Sequence, residues 1–248
     1  MAFQATRLSR KQKRAARGRD GGDEQILDRQ FAMKRIKPLT EHQDDLFQAY
    51  HAGQNITAIG SAGSGKTYIA LYLALQDVLE AEEYNKVIVI RSAVQARDQG
   101  FLPGTLKEKE AYYEAPYIEI ASDLFGRGDA YGILKHKGQI DFMTTSNIRG
   151  LTWNNAVVIV DECQNMNYEE LRTVITRMGK NSRLIYCGDT KQNDLIKNKY
   201  DVSGLAKFLD VTSNMRSFST VTFTVDDIVR SGLVREFIET EERIEEFA

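Results

Sequence analysis

One eight-residue segment constrains the fold of this chain more than any other part of the sequence. Residues 60–67 match the complete pattern G-x-x-x-x-G-K-T. Glycines in this pattern let successive backbone N–H groups point into one concavity that holds an anion. The lysine places a positive charge near the β- and γ-phosphates, and the threonine hydroxyl can ligate Mg²⁺. The pattern predicts a phosphate-binding loop whose nucleotide-binding residues are Gly60, Ser61, Ala62, Gly63, Ser64, Gly65, Lys66 and Thr67.

The residues on either side of the loop provide the context that this pattern requires. Residues 55–59 resemble a short strand that ends at Gly60, and residues 66–80 form a helix candidate that is apolar on almost every side. Strand, glycine loop and helix must follow in this order for the loop to bind phosphate. The positive end of the helix dipole then lies at the same place. A chance match in a Gly/Ser-rich loop is the competing interpretation, and this context argues against it.

Strand and helix candidates alternate along the chain, which predicts a doubly wound, mainly parallel α/β sheet. The strand candidates are almost continuously apolar, as strands buried on both faces are. They lie at residues 55–59, 86–90, 140–143, 156–160, 183–187 and 220–223. Helix candidates lie at residues 66–80, 106–125, 168–178, 203–209 and 231–247. In such sheets ligands bind at the carboxyl ends of the strands.

Composition and length predict one ordered domain after a basic tail. We assign residues 1–37 to the tail and 38–248 to a single domain, with an insertion near 101–135 and an acidic C-terminal helix. Apolar runs fall short of a membrane span, and the start lacks the apolar region of a signal peptide, so no membrane partner is expected. Two cysteines fit a reducing cytoplasm better than an oxidising compartment. The cysteines and three histidines show no metal-ligand spacing.

The first nineteen residues carry seven cations and no acidic residue. Two interpretations remain open for this segment. It could be a disordered tail that keeps the protein in solution, as charge blocks often are. It could instead be an arm that attracts nucleic acid phosphates. In the second case the binding residues are Arg7, Arg10, Lys11, Lys13, Arg14, Arg17 and Arg19.

An apolar strand candidate delivers two acidic residues, Asp161 and Glu162, to its tip. After a phosphate loop, the first is the natural partner of Mg²⁺, directly or through water. The second is then placed to deprotonate or polarise an attacking water. A plain Asp-Glu pair at the end of a strand is the competing interpretation.

Two glutamines are candidate nucleotide contacts, each with an open alternative. The amide of Gln192 could reach a γ-phosphate or its attacking water, although the preceding Gly-Asp-Thr is also turn chemistry. The amide of Gln43 suits the N6/N7 edge of adenine, which would select ATP. Thr40 and Gln43 also fit the N-cap and N3 residues of a capping box.

Several motifs occur together in one order. They are Gln43, the loop at residues 60–67, Arg91, Gly100-Phe101-Leu102-Pro103-Gly104, Arg149-Gly150, Asp161-Glu162-Cys163-Gln164-Asn165, Gly188-Asp189-Thr190-Lys191-Gln192, Ser203-Gly204-Leu205 and Asp227-Ile228-Val229-Arg230. This set resembles the PhoH-like (phosphate-starvation-inducible) ATPase family in its short, phage-type form. The resemblance covers residues 38–240, and the family is similar to the first motor domain of superfamily-one helicases.

The resemblance implies a P-loop fold, ATP and Mg²⁺ as ligands, ATP hydrolysis and a link to nucleic acid, with RNA preferred over DNA. It implies that Arg91 and Arg149 contact nucleic acid and that Arg230 contacts nucleotide phosphates. The expected catalytic set is Lys66, Glu162, Gln192 and an arginine, either Arg230 or Arg177. Because one motor domain has no second lobe, a neighbouring subunit could supply the arginine, so a homo-oligomeric ring is expected.

The expected protein is therefore a cytoplasmic ATPase whose activity depends on nucleic acid. It is helicase-like and acts as a motor or remodeller. An ATP-gated binding protein with slow hydrolysis and a protein partner is the alternative. A small-molecule kinase is a further alternative, because the stretch at residues 101–135 could serve as a lid.

Overall fold

The computed structural model describes residues 31–92, 106–189 and 204–246 of the chain. These residues contain six strands: β1 (Asn55–Gly60), β2 (Lys86–Arg91), β3 (Ile140–Thr144), β4 (Ala156–Asp161), β5 (Arg183–Gly188) and β6 (Phe218–Phe223). They form one sheet in the order β3-β2-β4-β5-β1-β6, and every neighbouring pair is parallel. All six predicted strands are confirmed to within two residues at either end.

The described helices cover both faces of this sheet, which confirms the doubly wound α/β prediction. They are α1 (Glu41–His51), α2 (Lys66–Leu79), α3 (Leu106–Phe125), α4 (Ala130–His136), α5 (Tyr168–Ile175), α6 (Leu205–Ser213) and α7 (Gly232–Glu246). The sequence predicted five of them. For α1 it predicted only the N-cap residue, and it did not predict α4. Among the described helices, none has the length and apolar character needed to cross a membrane.

The central strand β4 shows why the sequence builds a two-layered core. Successive side chains of a strand point to opposite faces, so an unbroken apolar run fills both layers. Val157 and Ile159 belong to the layer that contains α2, whereas Val158 and Val160 belong to the layer that contains α5 and α6. Every residue of β4 is buried, including Asp161 at its end.

Residues 31–37, which the sequence assigned to the tail, pack against the domain. Phe31 stacks on Phe125 of α3 with 4.5 Å between ring centroids, and Met33 is buried. The Lys34 N–H donates to the Leu124 carbonyl at 2.8 Å. Aromatic stacking and apolar burial therefore attach residues 31–37 to the domain, which corrects the boundary drawn from the charge pattern. The predicted tail at residues 1–30 lies outside the described residues.

The described part of the predicted insertion packs onto the domain as α3 and α4. One face of α3 is fully buried, formed by Tyr117, Ala121 and Leu124 at helical spacing. In α4, Leu134 is buried and Tyr131 donates a hydrogen bond to Glu114 of α3 at 2.6 Å. These helices join the core layer that contains α2.

Candidate nucleotide-binding site

The phosphate-loop residues connect β1 to α2, as the sequence predicts. Gly63 and Gly65 have φ values of 77° and 86°, the left-handed region in which glycine carries no steric penalty. The Lys66 ammonium is folded back into the loop. It donates to the carbonyls of Gly60 and Ser61, both at 2.8 Å, and to the Ser64 hydroxyl at 3.1 Å. The loop therefore surrounds its own lysine with oxygen acceptors.

The start of α2 provides a place for an anion. Within the described part of the chain, no side chain caps this helix, and its first turn contains no acidic residue. The first N–H groups of a helix need acceptors, and the helix dipole favours negative charge at this end. Burial lowers the pKa of Lys66, against the attraction of nearby acidic groups that include Glu162 and Asp161. A bound phosphate would satisfy both the amides and the lysine.

Asp161, at the end of β4, meets two hydroxyl donors. Thr67 donates to Oδ1 at 2.6 Å, and Tyr117 of α3 donates to Oδ2 at 2.7 Å. Burial and the charge of Asp161 raise the pKa of Tyr117 well above its usual value, so the phenol stays protonated and acts as the donor. The two predicted metal-binding residues are thus in direct contact.

Glu162 follows in a left-handed conformation with φ of 51°, which is uncommon for a residue other than glycine. Burial, and then the charge of Asp161, raise the pKa of its carboxyl group. The Gln164 amide opposes this shift by donating to Oε2 at 2.6 Å. A carboxylate with a raised pKa beside a phosphate loop has the character of a general base.

Gln43 connects the start of α1 to the phosphate loop. Its Nε2 donates to the Ser64 carbonyl at 2.9 Å, and its Oε1 accepts from the Leu39 N–H at 2.8 Å. Thr40 is the N-cap of α1 and accepts from the Gln43 N–H at 3.4 Å, which confirms the predicted N-cap. The reciprocal half of a capping box is not formed, because the Gln43 side chain bonds Leu39 and Ser64 instead. The adenine contact stays a prediction for this buried amide.

The segment after β6 forms a second wall of the loop. The Val229 N–H donates to the Gly63 carbonyl at 3.2 Å. Arg230 is exposed and lies so near that a Cβ on Gly63 would be 2.8 Å from its Cγ. His42 Nδ1 and Asp227 Oδ2 are 2.7 Å apart and fix this segment to α1. Arg230 therefore adjoins the phosphate loop of its own chain.

The other predicted arginines lie in three different places. Arg91 ends β2 opposite Asp161, with its guanidinium 5.8 Å from the ring centroid of Tyr113. Arg149 is exposed in the turn after β3. The Arg177 carbonyl accepts from the Trp153 N–H just before β4 begins. Arg177 is therefore near the amino-terminal ends of the strands, whereas the phosphate loop is at their carboxyl ends. Gln192 and the basic residues from Arg7 to Arg19 lie outside the described residues.

Three residues at this site have roles that the sequence did not assign. Tyr117 is one of three tyrosines in a helix candidate, and no motif marks it. His42 and Asp227 lie 185 residues apart in sequence, so their contact follows only from the fold. A helical pattern at residues 117, 121 and 124 would have shown a buried face, but not that its tyrosine reaches Asp161.

The residues present fit a nucleotide phosphate chain with Mg²⁺. Among the described residues, no group of three or more His, Cys, Asp or Glu could hold a metal alone. Mg²⁺ is commonly bound by one or two carboxylates together with substrate phosphates. The donor set of Thr67, Asp161 and an uncapped helix end with its lysine matches that chemistry.

Comparisons with known proteins give a consistent result. The family model described as PhoH-like protein matches residues 35–242. A PhoH-like protein of Mycobacterium bovis is 33% identical over 214 residues, which cover 86% of this chain and 60% of that protein. A PhoH-like protein of Bacillus subtilis is 35% identical over 207 residues, which cover 83% and 64% respectively. The chain thus spans about three fifths of the length of these relatives.

Solved structures also match the chain, at lower similarity. The Pif1 helicase from Candida albicans has a TM-score of 0.38 and 14% sequence identity, and the match covers 76% of this chain and 40% of the helicase. Similarity at this level carries no argument about activity.

Proposed function

This chain belongs to the PhoH-like protein family, and on that premise we propose that it binds ATP with Mg²⁺ and hydrolyses the β–γ phosphoanhydride bond. The proposed activity is coupled to nucleic acid, with RNA preferred over DNA. The family assignment and the phosphate loop support nucleotide binding.

One observation carries the proposal, namely the 2.6 Å contact between the Thr67 hydroxyl and Asp161 Oδ1. It brings the first helical turn after the phosphate loop against the end of β4, two strands away from β1. Thr67 and Asp161 would hold the metal, and Lys66 with the loop amides would hold the phosphates. When bound, Mg²⁺ neutralises charge on the β- and γ-phosphate oxygens.

Glu162 is the proposed general base. Its carboxylate takes the proton of a water that attacks the terminal phosphorus, and its raised pKa suits this task. Arg230 would stabilise the charge of the transition state, since it adjoins the loop at Gly63. Gln43 would read adenine, and Gln192 would sense the γ-phosphate.

The nucleic acid part of the proposal rests on cations. Arg149 is exposed at the edge of the sheet where β3 ends. The seven cations between Arg7 and Arg19 would add phosphate contacts. Arg91 is half-buried beside the two acidic residues, so we assign it an electrostatic effect on Glu162 as well as a nucleic acid contact. A homo-oligomeric ring would complete the site if an arginine acts between subunits.

A second function is an ATP-gated binding protein with slow hydrolysis. The exposed apolar side chains of α7 favour it, since Leu233, Phe237 and Ile244 are each more than 60% exposed. Amphipathic helices with such a stripe often bind protein partners. In this case ATP turnover would respond to a protein rather than to nucleic acid.

Steady-state ATP hydrolysis, measured with and without single-stranded RNA and single-stranded DNA, tests the proposal. We expect turnover that rises with RNA in the wild type and is absent in Lys66→Ala, because that variant loses the main point charge for phosphate. Turnover that persists in Lys66→Ala would refute the site assignment. Turnover that ignores both nucleic acids would favour the ATP-gated binding protein.

A further inference from the structure

The two carboxylate oxygens of Asp161 have separate hydroxyl donors on two different helices. Thr67 on α2 donates to Oδ1 at 2.6 Å, and Tyr117 on α3 donates to Oδ2 at 2.7 Å. Thr67 belongs to the phosphate-loop pattern, whereas Tyr117 belongs to no motif. Asp161 is 6% exposed and Tyr117 is 0% exposed, so water does not easily replace the Tyr117 hydroxyl as a donor.

We propose that Tyr117 is a positioning residue for the metal-holding carboxylate, because its hydroxyl fixes the orientation of Asp161. This inference rests on the proposed function, in which Asp161 and Thr67 hold Mg²⁺. The terminal torsion of an aspartate is broad and roughly two-fold, so packing alone fixes it poorly. One donor on each oxygen defines the plane of the carboxylate and keeps Oδ1 beside Thr67.

Packing explains the ring of Tyr117 but does not require its hydroxyl. The ring lies in the buried face of α3 and is 5.7 Å from the ring of Phe142 on β3. Phenylalanine would fill the same space. Without the hydroxyl, however, a buried carboxylate oxygen would lose its donor, and such a loss is costly.

A second contact from the same helix supports this role. Tyr113 lies one turn before Tyr117, and its ring is 5.8 Å from the guanidinium carbon of Arg91. Arg91 is the residue of β2 directly opposite Asp161 in the sheet. Helix α3 therefore contacts both the acidic residue at the end of β4 and the cation beside it.

The chain contains a matched control for Tyr117→Phe. Tyr50 is also buried, at 1% exposure, and its hydroxyl donates to Oδ2 of Asp77 at the same distance of 2.7 Å. Asp77 lies on α2 about 15 Å along the helix from Thr67. Tyr50→Phe therefore removes the same kind of hydrogen bond away from the site. Thermal unfolding of both variants checks that each remains folded.

The test is Mg²⁺ titration of the binding of N-methylanthraniloyl ATP, followed by fluorescence. For Tyr117→Phe we expect the Mg²⁺ concentration at half-maximal enhancement of binding to rise about 10- to 100-fold, the usual cost of losing a partner that orients a metal ligand. Affinity in EDTA should stay within about two-fold of the wild type, because the Tyr117 hydroxyl bonds Asp161 and not a residue of the phosphate loop. Tyr50→Phe should match the wild type in both measurements.

An unchanged Mg²⁺ dependence in folded Tyr117→Phe overturns this inference while leaving the proposed function intact. An equal loss of affinity in EDTA also overturns it, because a general structural defect then explains the change. A wild type whose nucleotide binding ignores Mg²⁺ contradicts the proposed function itself and removes the basis of the inference.

Discussion

Gly60 lies against the backbone of Phe223 on the neighbouring strand β6, so closely that a Cβ on Gly60 would be 1.9 Å from the Phe223 carbonyl oxygen. Its φ of 134° is also a conformation that other residues rarely adopt. The first glycine of the phosphate-loop pattern is therefore required by the packing of two strands, independently of any bound phosphate.

Replacing Gly60 with alanine should destabilise the fold. We expect Gly60→Ala to lower the free energy of unfolding by about 3–5 kcal/mol. The backbone of Phe223 must move away from the new Cβ, and the positive φ of residue 60 adds dihedral strain. Gly138 is the control, since its φ is 68° and nothing lies within 4 Å of its added Cβ. Gly138→Ala should cost only about 1–2 kcal/mol. Urea unfolding measures both, and equal losses would contradict the role of Phe223.

The contact between His42 and Asp227 should make stability depend on pH. Burial alone would raise the pKa of Asp227, but hydrogen bonds from Thr40, the Thr224 N–H and His42 hold it below its usual value. A carboxyl group whose pKa is lowered by folding stabilises the protein above its unfolded pKa, and this contribution is lost as pH falls through the folded pKa.

Asp227→Asn should therefore cost about 1–2 kcal/mol of unfolding free energy near pH 6 and progressively less below about pH 4. Chemical unfolding at several pH values checks this. The exposed neighbour Asp226 is the control, and Asp226→Asn should leave the pH dependence as it is in the wild type. A deficit in Asp227→Asn that stays constant down to pH 3 would count against the assignment.

Glu162→Gln should separate binding from hydrolysis. The amide keeps the size of the side chain but cannot accept the proton of the attacking water, so ATP turnover should fall about 10²–10⁴-fold. Binding of ATP with Mg²⁺ should persist, because Thr67 and Asp161 are untouched. Glu169→Gln, on the exposed side of α5, is the control and should retain turnover. Loss of nucleotide binding in Glu162→Gln would show that the residue is structural or holds the metal.

The two candidate arginines can be separated by mixing inactive subunits. Arg230 adjoins the loop of its own chain, whereas Arg177 lies near the opposite, amino-terminal ends of the strands. Arg177 could therefore act only at the site of a neighbouring subunit. In a ring, a mixture of Arg177→Ala and Glu162→Gln subunits would contain some sites with both groups intact. That mixture should regain ATPase activity if Arg177 acts in trans. The mixture of Arg230→Ala and Glu162→Gln should stay inactive, and recovery there would place Arg230 in trans instead.

Particular residues show what the sequence could predict and what it could not. The strands were predictable because Val157 to Val160 must fill two core layers, and only a strand covered on both faces does so. The proximity of Thr67 and Asp161 was predictable because each belongs to a local motif that assigns it to the same Mg²⁺ ion. Tyr117 could not be predicted, because its role depends on how α3 packs across the end of β4. The tail boundary at residue 37 was wrong because it was drawn from the positive charge of the segment. Phe31 and Met33 bury apolar surface against the domain and were not considered.

The basic segment from Arg7 to Arg19 should add nucleic acid affinity without affecting catalysis. Each phosphate that it neutralises would steepen the log–log dependence of binding on salt by about 0.7 on single strands. Deleting residues 1–19 should therefore weaken RNA binding and flatten this slope by about 2–3, the value for three or four lost contacts. Basal ATPase should remain at the wild-type level, since the proposed catalytic residues Lys66 and Glu162 lie outside the deleted segment. Equal slopes before and after deletion would mean that these cations contact no phosphate, whereas a loss of basal ATPase would mean that the segment supports the nucleotide site.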